Sequence, residues 1–257
     1  MADPTLLDDD EPSPVRMAHA RGASPFFITC DHAGRRVPRR LGDLGVAAAD
    51  MDRHIAWDPG AWPVALHLGQ ALDAFTIGQE YSRLVIDSNR APGVASSIPE
   101  ISESTPIPGN IGLDAAARAA REGAILRPYH DAIGAALDAR AGRATVLVAM
   151  HSFTPVFKGV ARPWHAGVLF NRNPRFARLV LALLREEPGL VVGENEPYAV
   201  SDLTDYTVPL HAERRGLPYV ELEIRQDLIA DAAGQRAWAD RFIRILPAAW
   251  QAFQAAA

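Results

Sequence analysis

Two histidines in this 257-residue chain stand directly behind short apolar runs. His151 follows Thr145-Val146-Leu147-Val148-Ala149-Met150, and His32 follows Pro25-Phe26-Phe27-Ile28-Thr29-Cys30 with only Asp31 between. An imidazole at the mouth of a buried strand is a candidate metal ligand or acid/base group. A hydrolytic zinc site takes three protein ligands, mixing histidine with carboxylate, and keeps a fourth position for water. His32 and His151 supply two ligands. The third is sought among the carboxylates near the same rim, Asp58, Asp52 and Glu80. A further carboxylate outside the ligand set has to accept the proton of the attacking water. Glu223, inside the apolar run 218–224, suits that role because burial raises a carboxyl pKa toward neutrality.

These side chains need a scaffold that brings distant strand ends together. The run 145–150 carries no charge and lies between Gly142 and Pro155, which reads as a strand buried on both faces. Such strands belong to sheets covered by helices, with ligands bound beyond the carboxyl ends of the strands. Further strands are expected at 25–30, 75–78, 83–87, 167–170, 190–193 and 218–224. Helices are expected at 61–73, 114–139 with a break at Pro128, 173–186, 206–215 and 232–254. Asp58 before Pro59 reads as the N-cap of the first helix. The alternation of strands and helices predicts an α/β protein: a single domain, with a central mixed, mostly parallel sheet flanked by helices. The domain is expected over 24–257, behind a mobile leader at 1–23. The proline-rich segment 94–110 reads as a binding loop or lid.

Composition narrows the function classes. A net charge of −5 opposes a nucleic-acid partner, which calls for a basic face. The single cysteine, Cys30, excludes an internal disulfide framework and fits a reducing cytoplasm. Residues 1–11 lack the basic start and apolar core of a signal peptide. No stretch approaches the ~20 apolar residues of a membrane span, so no membrane partner is expected. Trp57 and Trp62 read as core residues, while His211, on its helix, and His130 stay open between a packing or helix-terminus role and a functional one.

Five motifs together resemble the N-formylglutamate amidohydrolase family. They are Cys30-Asp31-His32-Ala33-Gly34, His54-Ile55-Ala56-Trp57-Asp58-Pro59-Gly60-Ala61, Arg83-Leu84-Val85-Ile86-Asp87-Ser88-Asn89-Arg90, His151-Ser152 and Glu221-Leu222-Glu223. The Asp-Ser-Asn-Arg and His-Ser elements also resemble zinc carboxypeptidases and aspartoacylase-like deacylases. The resemblance implies one Zn2+ ion at the sheet rim, with His32 and His151 as ligands. Carboxypeptidase-type patterns place a glutamate where this chain has Arg35. Asp58 is therefore taken as the middle ligand, ahead of His54 and Asp52. Glu223 matches the catalytic glutamate, and Glu221 is expected to point to the opposite face of its strand. Arg83 is expected in catalysis, polarising the amide carbonyl, with Asn89 and Arg90 binding the substrate carboxylate. Asn195, Tyr198 and Arg225 are expected to line the same pocket.

The expected function is zinc-dependent hydrolysis of the linear amide of an N-acyl amino acid such as an N-formyl- or N-acylglutamate. Two alternatives stand beside it. One is a non-catalytic sensor of small carboxylates on the same fold, and the other a carboxypeptidase-like hydrolase of small peptides.

Overall fold

The computed structural model describes residues 6–256. Seven strands form the main sheet: β1 (Val15–Ala18), β2 (Phe26–Cys30), β3 (Phe75–Gln79), β4 (Val146–Phe153), β5 (Ala166–Leu169), β6 (Val192–Glu194) and β7 (Tyr219–Arg225). Their order across the sheet is β1-β3-β2-β4-β7-β5-β6. The pairings β3–β2, β2–β4, β4–β7 and β5–β6 are parallel, while β1–β3 and β7–β5 are antiparallel. The sheet is thus the mixed, mostly parallel one that the apolar runs predicted. Every residue of β2 and β4 is buried, as expected for strands covered on both faces.

The alternation of side chains along a strand sorts the core into two layers. Phe26, Ile28 and Cys30 of β2 pack with Val64 and Leu68 of helix α1 (Ala61–Leu72) and with residues of α4 (Arg175–Arg185) and α5 (Ala232–Ala255). Phe27 of the same strand joins Phe75 and Ile77 against Tyr129, Ile133 and Leu137 of helix α3 (Arg127–Asp138). Helix α2 (Ala115–Arg121) runs into α3 through a wide turn at Glu122–Leu126, just ahead of Pro128. No helix among the described residues is long and apolar enough to cross a membrane.

Four elements differ from expectation. Residues 83–87 form turns rather than a strand. Polar side chains there bond locally: Arg83 Nε donates to Asp87, and the Asn89 amide donates to Asp87 Oδ1. Leu84, Val85 and Ile86 are buried in a satellite core with Tyr81, Ile98 and Leu126 instead. The helix expected at 206–215 is a wide turn at Val208–Ala212 followed by a tight one at Glu213–Arg215, with Pro209 inside it. The loop at 94–110 carries a hairpin, Ile101–Ser102 paired with Thr105–Pro106, and Asn110 ties it to Leu84 O and Pro99 O.

The fourth difference concerns the leader. Residues 1–5 lie outside the described residues. From Leu6 onward the segment carries structure. Leu6 is buried in the satellite core, Val15–Ala18 adds the edge strand β1, and Arg16 pairs with Glu80.

Candidate metal centre and active-site cleft

The parallel strands β2, β4 and β7 lie side by side, so their carboxyl ends share one edge of the sheet. His32 sits two residues beyond β2. His151 lies inside β4, two residues before its end at Phe153, and stands in register with Glu223 of β7. Asp58 arrives from the turn before α1. That aspartate is not the helix cap the sequence suggested. Gly60 occupies the cap position with φ +79°, and a Cβ there would meet Ile229 O at 2.4 Å. Glycine lets the chain turn sharply, which frees the Asp58 side chain to face the sheet edge.

His32, Asp58 and His151 converge there, all buried, with their ligand atoms within 4.8 Å of one another. Asp58 Oδ2 stands 2.9 Å from His151 Nδ1 and 3.4 Å from His32 Nδ1. Ligands in a tetrahedral zinc shell, each about 2.0–2.1 Å from the ion, stand roughly 3.3 Å apart. The group therefore fits a small divalent cation. The outer nitrogens are backed by carboxylates: His32 Nε2 by Asp87 Oδ1 at 2.7 Å, and His151 Nε2 by Asp31 Oδ2 at 3.4 Å. Asp31 is itself held by the Tyr129 hydroxyl at 2.8 Å. Carboxylates behind ligating histidines fix ring orientation and tautomer in metal sites. The other candidate ligands are engaged elsewhere. Asp52 is exposed and pairs with Arg35, Glu80 pairs with Arg16 and Arg36, and His54 Nε2 faces Glu103 at 3.4 Å.

The electrostatics are those of a packed charge cluster. Burial works against the Asp58 carboxylate, yet His32 and His151 hold its pKa below the ordinary range. Burial likewise works against protonated His151, and Asp31 and Asp58 overcome it, so its pKa is raised. Glu223 behaves oppositely. Burial pushes its pKa up to about 8, and its Oε2 has no hydrogen-bond partner.

Glu221 is a correction. Residues two apart on a strand share a face, so Glu221 does not point away from Glu223. Both carboxyls line the same cavity. Burial, reinforced by Asp205, raises the Glu221 pKa as well, and its Oε2 is also unpartnered.

The cavity, about 430 Å³, opens over the His–Asp–His group. Arg83, Asn89, Arg90 and Tyr198 reach it. Arg83 grips Asp87 Oδ2 through Nε (3.0 Å) and Nη2 (2.7 Å), which turns its Nη1 toward Asp58 at 3.5 Å. The Asn89 side chain is fully occupied: Nδ2 donates to Asp205, and Oδ1 accepts from the Tyr206 and Thr207 amides. Arg90 Nη1 donates to the carbonyls of Asn89 and Thr204. The Tyr198 hydroxyl accepts from Arg162 Nη1 at 2.9 Å.

Asn195 and Arg225 are not brought to this cavity. Asn195 adopts φ +52°, and its Oδ1 accepts from the Phe170 amide just beyond β5. Arg225 lies beyond the end of the cavity wall, pairs with Asp227 and donates to the carbonyls of Arg162 and Trp164.

Sequence reasoning passed over Asp31, Asp87 and Glu103. Asp31 adjoins His32, and Asp87 opens the Asp-Ser-Asn-Arg motif, so a search for carboxylates behind each histidine would have found both. Nothing local marks Glu103, which reaches the cleft by folding of the hairpin.

A mixed α/β sheet with a buried His–Asp–His group at its carboxyl edge defines an α/β protein with a candidate metal centre. A family model described as N-formylglutamate amidohydrolase matches residues 24–230, and the chain belongs to that family. The crystal structure of gene product Atu2144 from Agrobacterium tumefaciens is 37% identical over 97% of this chain and 99% of that one, with a TM-score of 0.94. An N-formylglutamate amidohydrolase from Ralstonia eutropha JMP134 shares the fold at 19% identity, over 94% of this chain and 100% of its own, with a TM-score of 0.67. No curated protein sequence matches the chain. The family indicates a hydrolase that acts on an amide of a small molecule.

Proposed function

We propose that the protein is a zinc-dependent amidohydrolase that cleaves the acyl–nitrogen bond of an N-acyl amino acid. The observation that carries this reading is the juxtaposition of His32, Asp58 and His151 with an unpartnered, buried Glu223 in one cavity. A pure binding protein has no use for a carboxyl poised in that way beside a metal-ligand set. His32, Asp58 and His151 would hold the zinc, which when bound would supply Lewis acidity to the attacking water and the amide carbonyl.

The remaining chemistry belongs to the chain. Glu223 accepts the proton of the attacking water at Oε2 and returns it to the departing amine, a transfer worth typically 10²–10⁴ in rate. Arg83 Nη1 donates to the carbonyl oxygen as charge develops on it, a contribution of roughly 3–4 kcal/mol for one such donor. Arg90 holds the substrate carboxylate with the fork geometry that suits a guanidinium. The Tyr198 hydroxyl donates to the substrate while it accepts from Arg162. Asn89 acts one step removed, by fixing the segment that carries Thr204 beside Arg90.

The test is a metal and activity titration together. Purified protein is stripped with a chelator, reloaded with zinc, and assayed for amine release from formyl, acetyl and succinyl amino acids and from dipeptides. One tightly held zinc per chain with hydrolysis of N-acyl amino acids is expected. Absence of stoichiometric zinc, with no hydrolysis on adding it, would refute the reading.

A further inference from the structure

A second cavity, of about 500 Å³, shares no lining residue with the cleft. Helix α3 offers it one face, with Arg127, Asp131, Gly134 and Asp138 spaced three and four residues apart. The wide turn Val208–Ala212 adds Leu210 and His211. Wide turns of this kind are frequent at functional sites. Tyr206 also lines the cavity, and its amide is one of the two that Asn89 holds.

His130 and His211 both line this cavity and are 7% and 4% exposed. A chain of bonds fixes their protons. The Ser88 carbonyl can only accept, so His130 Nε2 carries a proton and donates to it at 2.8 Å. Burial lowers the pKa of His130 and brings that of His211 down to about 3, so both rings are neutral. His130 therefore keeps a lone pair at Nδ1, which accepts from His211 Nε2 at 2.9 Å. His211 Nδ1 is left as a bare lone pair with no hydrogen-bond partner. A buried acceptor without a donor destabilises a fold, and a pair of histidines kept for packing has no need of one.

The charges around the cavity select the donor. Arg215 is taken by Asp138 at 2.6 Å. Asp131 has no ion pair and no side-chain hydrogen bond among the described residues, and Arg127 reaches Glu122 only at 3.5 Å. One free acid and one loosely held cation thus accompany the bare acceptor. That set matches a molecule carrying both an ammonium and a carboxylate. A simple anion would meet Asp131 unpaired, and a simple amine would leave Arg127 unused. Pro92, Leu126 and Leu210 give the ligand an apolar wall.

We propose that this cavity is a second ligand site, which binds a free α-amino acid. The ammonium donates to His211 Nδ1 and Asp131, and the carboxylate pairs with Arg127. A free amino acid is also what the proposed amidohydrolase reaction releases, so on that reading the site senses product. Its wall is tied to the cleft through two bonds, from His130 to Ser88 and from Tyr206 to Asn89.

The test follows isotopically labelled histidine nitrogens of the zinc-loaded protein by NMR while L-leucine is added. The His211 Nδ1 signal, assigned by through-bond correlation to its ring protons, should move saturably as the nitrogen gains a donor. Asp131→Asn and Arg127→Gln, both at exposed positions, should each weaken the response about tenfold or more. 3-Methylbutylamine and 4-methylpentanoate, which are leucine without its carboxylate and without its ammonium, should also bind about tenfold more weakly or worse. A signal that stays still, or moves equally in both variants, overturns the site. Equal affinity for either half-molecule overturns its assignment to an amino acid. Amine release from N-acyl amino acids by the same sample tests the reaction apart. A moving signal without hydrolysis leaves the site and removes the reaction, and hydrolysis with a still signal does the reverse.

Discussion

Asp87 holds His32 and Arg83 at once. One oxygen, Oδ1, stands 2.7 Å from His32 Nε2, and the other accepts from Arg83 Nη2 at 2.7 Å. A single buried carboxylate thus orients a candidate metal ligand and the cation beside it. Burial works against its charge, but Arg83 and His32 hold its pKa well below the ordinary carboxylate range.

The first prediction follows from that arrangement. In Asp87→Ala the His32 ring loses the acceptor that presents its Nδ1 to the site, and Arg83 is released. Metal affinity should fall 10–100-fold, the usual effect of removing such a partner. Competition against a chromogenic chelator measures it, with circular dichroism to confirm that the variant is folded. Unchanged affinity would show that His32 is oriented by its backbone alone.

Glu223 and Glu221 present the second. Both face the cavity, but Glu223 is in register with His151, whereas Glu221 is in register with Ala149, one pleat farther from the site. Glu223→Gln should lower kcat by 10²–10⁴ with metal content unchanged. Glu221→Gln should cost less than about tenfold, because the amide keeps the size and polarity of a carboxyl whose pKa burial raises and which stands farther from His151. The opposite order of losses would move the base to Glu221.

How much of this was readable beforehand depends on where each contact is made. The apolar runs of β2 and β4 exposed the sheet, because strands buried on both faces leave no polar alternation. His32 and His151 were legible from their place at the ends of those runs. Leu84-Val85-Ile86 misled, because an apolar triplet buried in a satellite core looks the same as one in a strand. Asp58 was found as a ligand candidate, yet its capping geometry was wrong, since the left-handed Gly60 that redirects it has no signature beyond its identity. The Glu103–His54 contact and the Asn89–Asp205 bond span 49 and 116 residues and exist only after folding.

A third prediction concerns pH. The Glu223 carboxyl has an ordinary pKa of 4.5 and a folded one near 8, raised chiefly by burial. Between those values the folded protein binds more protons than the unfolded chain, so stability falls as pH rises through this window. Glu223→Gln removes the titration. In metal-free protein the variant should melt higher than wild type at pH 8, by about 5 °C for ~2 kcal/mol in a chain of this size. The gain should shrink toward pH 5, where wild-type Glu223 is already protonated. Calorimetric melting curves at the two pH values decide it, and a pH-independent difference would mean that Glu223 is ionised throughout.

Asn89 supplies the last prediction, which separates substrate contact from support. Its Oδ1 takes the amides of Tyr206 and Thr207, its Nδ2 reaches Asp205, and the residue is buried. Asn89→Ala leaves two amides and a carboxylate oxygen short of a partner, at a cost of roughly 1–3 kcal/mol for each buried group that water cannot reach. Melting should drop by about 5–10 °C, and hydrogen exchange should quicken at residues 205–207. Thr204, which accepts from Arg90, sits at the edge of the loosened segment. KM for a carboxylated substrate should therefore rise more than kcat falls, because the Arg90 anchor is displaced while Glu223 and the His–Asp–His group remain in place. An increase in KM with no loss of stability and no faster exchange would instead make Asn89 a direct substrate ligand.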